Sequence, residues 1–243
     1  MNLPEGILKQ TRLWPDGPFF QQTEYLGITT DSLLLADFAV VRAGERGADL
    51  GCGSGILMLL LLWREAKLHM TGLEIQEEAC ALAEENIRVN ALETRAAVVP
   101  GDLRETVKRL PNGGFDVVIS NPPYFGQEQG KRSPEAGRAA ARAETALSMK
   151  ELCHTAARLC RSGGRLYLCH RPERLSDLLR EMNSAHLEPK RLRFVHHDAG
   201  REASLVLVEG RKDGHPGIAV EKPLLTHDLS GAESEEYRKI CHV

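Results

Sequence analysis

The chain has 243 residues, 42% of them hydrophobic and 27% charged, with a formal net charge of −3. These are the ordinary values of a soluble globular protein, long enough for one α/β domain with an appendage. No stretch approaches the roughly 18 apolar residues that span a bilayer, and the first residues lack the basic and apolar regions of a signal peptide, so no membrane partner and a cytoplasmic location are expected.

Taken in chain order, residues 1–30 are rich in turn formers (Pro4, Gly6, Pro15, Gly17, Pro18) and read as an irregular N-terminal arm. Asp31 is expected to cap a helix running to about residue 41. A short strand ends at Ala48-Asp49-Leu50, a glycine loop follows, and an apolar helix covers 56–66. A strand at 69–74 leads into a helix over 77–90, and a third strand at 96–100 ends at Gly101-Asp102. Residues 115–120 are an uninterrupted apolar run, the pattern of a strand buried on both faces of a parallel sheet. The run stops at Asn121-Pro122-Pro123, and the polar stretch 126–142 reads as a mobile loop in which 135–142 has the alternative of forming a helix. Next come a helix at 149–160 closed by Gly163-Gly164, a strand at 165–170 and a helix at 173–185. Two β-like runs, 191–196 and 204–209, are joined by a hairpin-type turn at Asp198-Ala199-Gly200. Strands alternating with helices imply an α/β fold with a doubly wound, mostly parallel, seven-stranded sheet. The division expected is an arm at 1–30, the main domain at 31–213 and a polar tail at 214–243.

Cysteines 52, 80, 153, 160, 169 and 241 show neither C-x-x-C pairs nor zinc-site spacing, and read as reduced, mostly buried thiols. The charge is unevenly spread. Residues 1–120 carry 11 basic and 17 acidic side chains, whereas 121–215 carry 17 and 12. That imbalance suggests a face for an anionic partner.

The pattern Asp49-x-Gly51-x-Gly53-x-Gly55 lies between a strand and a helix. A dinucleotide fingerprint would need its third glycine where Ile56 stands, and the Gly-Lys-Ser/Thr of a Walker A loop is absent. S-adenosyl-L-methionine has no pyrophosphate to cradle, and its ammonium and sulfonium favour nearby carboxylates. Asp49 is placed to serve the ammonium, Glu74 to accept from the ribose hydroxyls, and Asp102 to accept from the adenine amino group. All three end parallel strands.

Asn121-Pro122-Pro123-Tyr124 is a stiff segment, because each proline fixes its own φ and pushes the residue before it away from helix. The Asn121 side-chain oxygen and the Pro122 carbonyl can both accept from an NH₂ group. That would aim the nitrogen lone pair at a sulfonium methyl, and Tyr124 offers a ring for a flipped base.

With these residues the sequence resembles the class I methyltransferases of Rossmann-like fold that carry a (D/N)PPY motif. More narrowly, it is similar to bacterial tRNA adenine-N6 methyltransferases acting on the anticodon loop of a valine tRNA, and to their Gram-positive relatives. Residues 28–38 resemble the family's "TD..LL" helix, 49–55 its cofactor loop, and 121–125 its NPPYF. The likeness runs over roughly residues 5–215, including 163–174 and 188–210. Ala143 stands where the family usually has histidine between Arg142 and Glu144. The resemblance implies an S-adenosyl-L-methionine-dependent N-methyltransferase acting on adenine in RNA, with tRNA as partner. Its implied cofactor residues are Thr30, Asp49, Gly51, Gly53, Gly55, Glu74, Ile75, Asp102, Leu103 and Asn121. The catalytic residues are Asn121, Pro122, Pro123 and Tyr124. Substrate contacts fall to Tyr124, Phe125, Lys131, Arg132, Arg138 and Arg142, whose cations suit phosphates. Because NPPY also occurs in protein-glutamine and guanine-N2 methyltransferases, those substrates stay open, as does a non-catalytic RNA-binding protein. No metal is expected: His196 and His197, as strand neighbours, point to opposite faces. Lys190, Arg191 and Arg193 form a second basic cluster.

Overall fold

The computed structural model describes residues 9–23, 26–122 and 147–241. The arm expected to be irregular holds an antiparallel hairpin of β1 (Lys9–Arg12) and β2 (Phe19–Gln22), with Pro15, Gly17 and Pro18 in its connection. Two asparagines fasten β2 to α3 (Glu77–Val89). Asn86 accepts from the Gln21 amide at 2.7 Å and donates to the Gln21 carbonyl at 3.0 Å. Asn90, just past the helix, makes the same pair of bonds with Phe19.

The first helix, α1 (Thr30–Phe38), is capped by Thr29 rather than Asp31. Thr29 has extended backbone, and its hydroxyl accepts from the Ser32 amide, while Asp31 sits inside the first turn, where a carboxylate favours the helix dipole. Then follow β3 (Arg46–Leu50), α2 (Ile56–Arg64), β4 (His69–Glu74), α3, β5 (Ala96–Pro100), the single-turn α4 (Leu103–Thr106) and β6 (Phe115–Ser120). Beyond residue 146, a capping box of Ser148 and Glu151 starts α5 (Met149–Leu159). β7 (Cys160–His170) begins directly after it, so Gly163 and Gly164 lie inside the strand and do not close the helix. Gly163 takes a positive φ of 74°, and a Cβ on Gly164 would stand 2.9 Å from the Arg161 carbonyl, which places the glycines at the irregular start of the pairing. The remaining elements of the main sheet are α6 (Leu175–Ser184), β8 (Leu187–His196) and β9 (Ala203–Lys212).

The sheet runs β5-β4-β3-β6-β7-β9-β8, parallel from β5 to β7, with β9 antiparallel to its neighbours on both sides. These are the seven expected strands. Two short additions from the tail, β10 (Ala219–Val220) and β11 (Leu224–Leu225), pair parallel with β8 and make nine. The chain then turns into α7 (Glu235–Cys241), which packs on α1.

Side chains alternate between two cores, as the strand period requires. Val117, Ile119, Tyr167, Cys169, Leu205 and Leu207 face the layer of α1 and α2. Val118, Leu166, Leu168, Val206 and Val208 face α5 and α6. The chain winds from β3 outward to β5, then crosses back to β6 on the other flank of β3. That reversal opens a crevice at the carboxyl ends of β3 and β6, the place where ligands bind in this architecture. Inside it, the buried Ser120 hydroxyl donates to the Leu50 carbonyl at 2.8 Å and ties the two strand ends together.

Candidate active site

The turn after β3 is built from the expected glycines. Gly51 and Gly53 have φ of 72° and 54°, and a Cβ on either would meet nothing within 4 Å, so their backbone borders open space. Gly55 serves differently. It sits at the N-cap of α2 with φ 80°, and its Cβ would come within 3.2 Å of Ala83 on α3. The Gly51 and Cys52 amides both donate to the Leu73 carbonyl, which locks the turn to β4.

Glu74, at the end of β4, is 5% exposed. Its Oε2 accepts from the Gly53 amide and its Oε1 from the Ile75 and Gln76 amides, each at 2.9 Å. A carboxylate offers about four lone-pair sites, so one remains on Oε2. The expected contact with both ribose hydroxyls therefore narrows to one hydroxyl unless an amide lets go. Ile75 is 40% exposed, unusual for a large aliphatic residue, and leaves an apolar surface beside the loop.

Asp49 is the opposite case. It is fully buried, and among the described residues neither carboxylate oxygen has a hydrogen-bond partner. Burial, and secondarily the charge of Glu74, push its pKa up to about 8. An unpartnered buried carboxyl group next to an open glycine turn is what a cationic ligand would complete. The donor set thus fits the ammonium end of S-adenosyl-L-methionine. Asp102 caps α4 and holds Arg104 through both oxygens, the closest contact being 2.5 Å, and that bond keeps its carboxyl below the usual range. Leu103 is buried behind it.

Asn121 follows β6 directly, and Pro122 beside it is buried. The Asn121 Nδ2 donates to the Ser32 hydroxyl at 3.1 Å and more weakly to the Thr29 hydroxyl at 3.5 Å. Its Oδ1 accepts from the Cys169 thiol at 3.0 Å. Thr30, expected at the cofactor, is exposed at the first turn of α1, on the side of Tyr237 of α7. Thr29, Ser32 and Cys169 were not anticipated. Nor was Asn86, whose Nδ2 also donates to the Ser54 carbonyl at 3.0 Å and so braces the glycine loop from α3.

The crevice thus brings together Asp49, Gly51, Gly53, Glu74, Ile75, Asn121 and Pro122 at the carboxyl edge, with Asp102 at the end of the adjoining strand β5. Pro123, Tyr124, Phe125, Lys131, Arg132, Arg138 and Arg142 lie outside the described residues. The second basic cluster is not an open anion site. Arg191 pairs with Glu209 and Glu221, Arg193 with Glu236, and Lys190 donates to the His215 carbonyl. His196, the last residue of β8, bonds the Arg201 carbonyl, and His197, one residue past the strand, lies against the His227 ring at 4.2 Å.

The family model of the methyltransferase small domain matches residues 27–186. A tRNA1(Val) (adenine(37)-N6)-methyltransferase of Tolumonas auensis is 37% identical over 142 residues, covering 58% of this chain and 57% of that protein, so the match spans about half the length of each. A protein of the same name from Aeromonas salmonicida is 28% identical over 219 residues, 88% of each chain. Among solved structures, one described as a predicted O-methyltransferase from Agrobacterium tumefaciens superposes with a TM-score of 0.72 over 87% of this chain and 95% of that one, at 23% identity, which speaks for the fold.

Proposed function

The chain belongs to the methyltransferase small domain family, and on that premise we propose that it transfers a methyl group from S-adenosyl-L-methionine to the exocyclic amino group of an adenine in tRNA. The observation that carries this reading is the placement of Asn121-Pro122 at the end of β6, across the switch crevice from the unpartnered Asp49. When bound, S-adenosyl-L-methionine supplies an electrophilic methyl group on a sulfonium. Asp49 holds the ammonium end, the Gly51–Gly53 backbone borders it, Glu74 takes a ribose hydroxyl, Asp102 accepts from the adenine amino group, and Ile75 lies against the base.

On the other side of the crevice, Asn121 Oδ1 has one lone pair beyond the one used by Cys169. That lone pair and the Pro122 carbonyl accept the two protons of the target NH₂. Accepting them localises the nitrogen lone pair and directs it at the methyl group. Orientation and fixed dipoles do the chemistry, and no strongly basic side chain is needed. Tyr124 and Phe125 stack on the extruded base, and Lys131, Arg132, Arg138 and Arg142 contact the phosphates. The names of the relatives favour tRNA over other RNA. A cytoplasmic setting accords with this substrate and with six free cysteines.

The test is to incubate the protein with methyl-labelled donor and unfractionated tRNA, then digest to nucleosides. Label should appear in N6-methyladenosine. Label in N2-methylguanosine, or only in the glutamines of added protein, would overturn the adenine assignment.

A further inference from the structure

Strand register places Cys169 beside Asn121. Ser120 pairs with Leu168 in the parallel β6–β7 ladder, so the next position on each strand brings Asn121 opposite Cys169. Both lie on the face covered by α1, because the Ile119–Tyr167 pair, two positions earlier on each strand, shares that face with Cys169. The thiol is fully buried and meets Oδ1 at 3.0 Å. On the opposite side of the amide stand the hydroxyls of Ser32 and Thr29, themselves 2.9 Å apart.

A hydroxyl both donates and accepts, so Ser32 and Thr29 satisfy the amide in either orientation. A protonated thiol has one S–H donor, itself weak, and a sulfur that is only a weak acceptor, so its one directed bond goes to the amide oxygen. Burial pushes the Cys169 pKa well above its ordinary value, and the nearby charge of Asp31 adds to it, which keeps the thiol protonated. Among the three side chains around the amide, Cys169 alone distinguishes oxygen from nitrogen.

We propose that Cys169 is a positioning residue that fixes which edge of the Asn121 amide carries the acceptor oxygen. This rests on the reading of Asn121 as acceptor for the target amino group. Without the thiol donor, a half-turn about the terminal side-chain bond exchanges Oδ1 and Nδ2 with little change of shape. The flipped amide then presents N–H toward the substrate NH₂, and donor faces donor. A fraction of the enzyme is thereby unproductive although the cofactor crevice is intact.

The test combines spectroscopy and kinetics on the full chain. In wild type, the infrared S–H stretch that disappears in Cys169→Ser should sit at a hydrogen-bonded frequency and move to the free position in Asn121→Ala. In single-turnover transfer to tRNA, Cys169→Ala should lose about five- to tenfold in rate, the size of one net hydrogen bond. Its donor affinity and melting temperature should stay near wild type, and Cys169→Ser, which restores a donor, should recover most of the rate. An S–H band unmoved by Asn121→Ala overturns the proposal. So does a wild-type rate in Cys169→Ala when Asn121→Ala is inactive, or a serine variant as slow as alanine with an unchanged fold. Should Asn121→Ala itself transfer at the wild-type rate, the underlying reading fails and this inference fails with it.

Discussion

The two walls of the crevice are held by different means. On the β3–β4 side, Glu74 is gripped by three backbone amides, two of them from the next two residues and one from the glycine turn. On the β6–β7 side, Asn121 is held by three side chains, those of Thr29, Ser32 and Cys169, at sequence separations of 92, 89 and 48. A wall made from backbone keeps its shape whatever side chains surround it, provided its carboxylate remains. A wall made from side chains can be disturbed one contact at a time without disturbing the fold. The first suits a cofactor of constant structure, and the second suits an acceptor site whose lone pairs must be aimed.

The largest effect expected on the cofactor wall comes from Glu74→Ala. It removes the ribose acceptor and strands three amide N–H groups, so donor affinity should fall by about 1.5–3 kcal/mol, roughly 10- to 150-fold, together with a lower melting temperature. Calorimetry showing wild-type affinity would break the assignment of this wall.

A smaller and opposite-signed pattern is expected at Asp49. Asp49→Asn should weaken donor binding by roughly tenfold, about 1.5 kcal/mol, yet raise the stability of the free protein. The sign follows from its folded pKa of about 8, far above the ordinary 3.8. The neutral form is preferred in the fold, so its contribution is fully present at acid pH and is lost as pH rises from near 4 through about 8. Melting temperatures of wild type should therefore decline over that window relative to Asp49→Asn. Binding a cation needs the ionised form, so donor affinity should climb with pH, by at most about tenfold per unit, up to about 8. Equal pH profiles for the two proteins would remove Asp49 from the site.

How much of this was readable in the sequence follows the same division. β4, β5 and β6 fall on the residues their patterns indicated, and the clearest of the three is β6, which is buried along nearly its whole length and announces itself as an apolar run. The glycine turn and Glu74 are local and were legible from spacing. The contacts of Asn121 cross from α1 to β6 to β7, and no pattern within a single element encodes them. Cys169 carries no signal of its own. Its meeting with Asn121 depends on a register that only the folded sheet sets. Asn86 did carry one, as an amide on the buried face of α3 that must find partners outside its helix. The tail reads only as polar because two-residue strands are too short to show a period. Arg191 and Arg193, which looked like a free basic cluster, are consumed in holding that tail and its neighbours.

Single-turnover methyl transfer to tRNA by Asn121→Ala, with donor affinity measured on the same preparation, separates the two walls most directly. Both prolines remain and the glycine turn is untouched, so affinity should fall far less than the rate, which drops at least about 10²-fold, the scale of losing one preorganised electrostatic group. Asn121→Asp should be milder, since a carboxylate still accepts. Transfer by Asn121→Ala at the wild-type rate would contradict the assignment of this side chain to the target amino group.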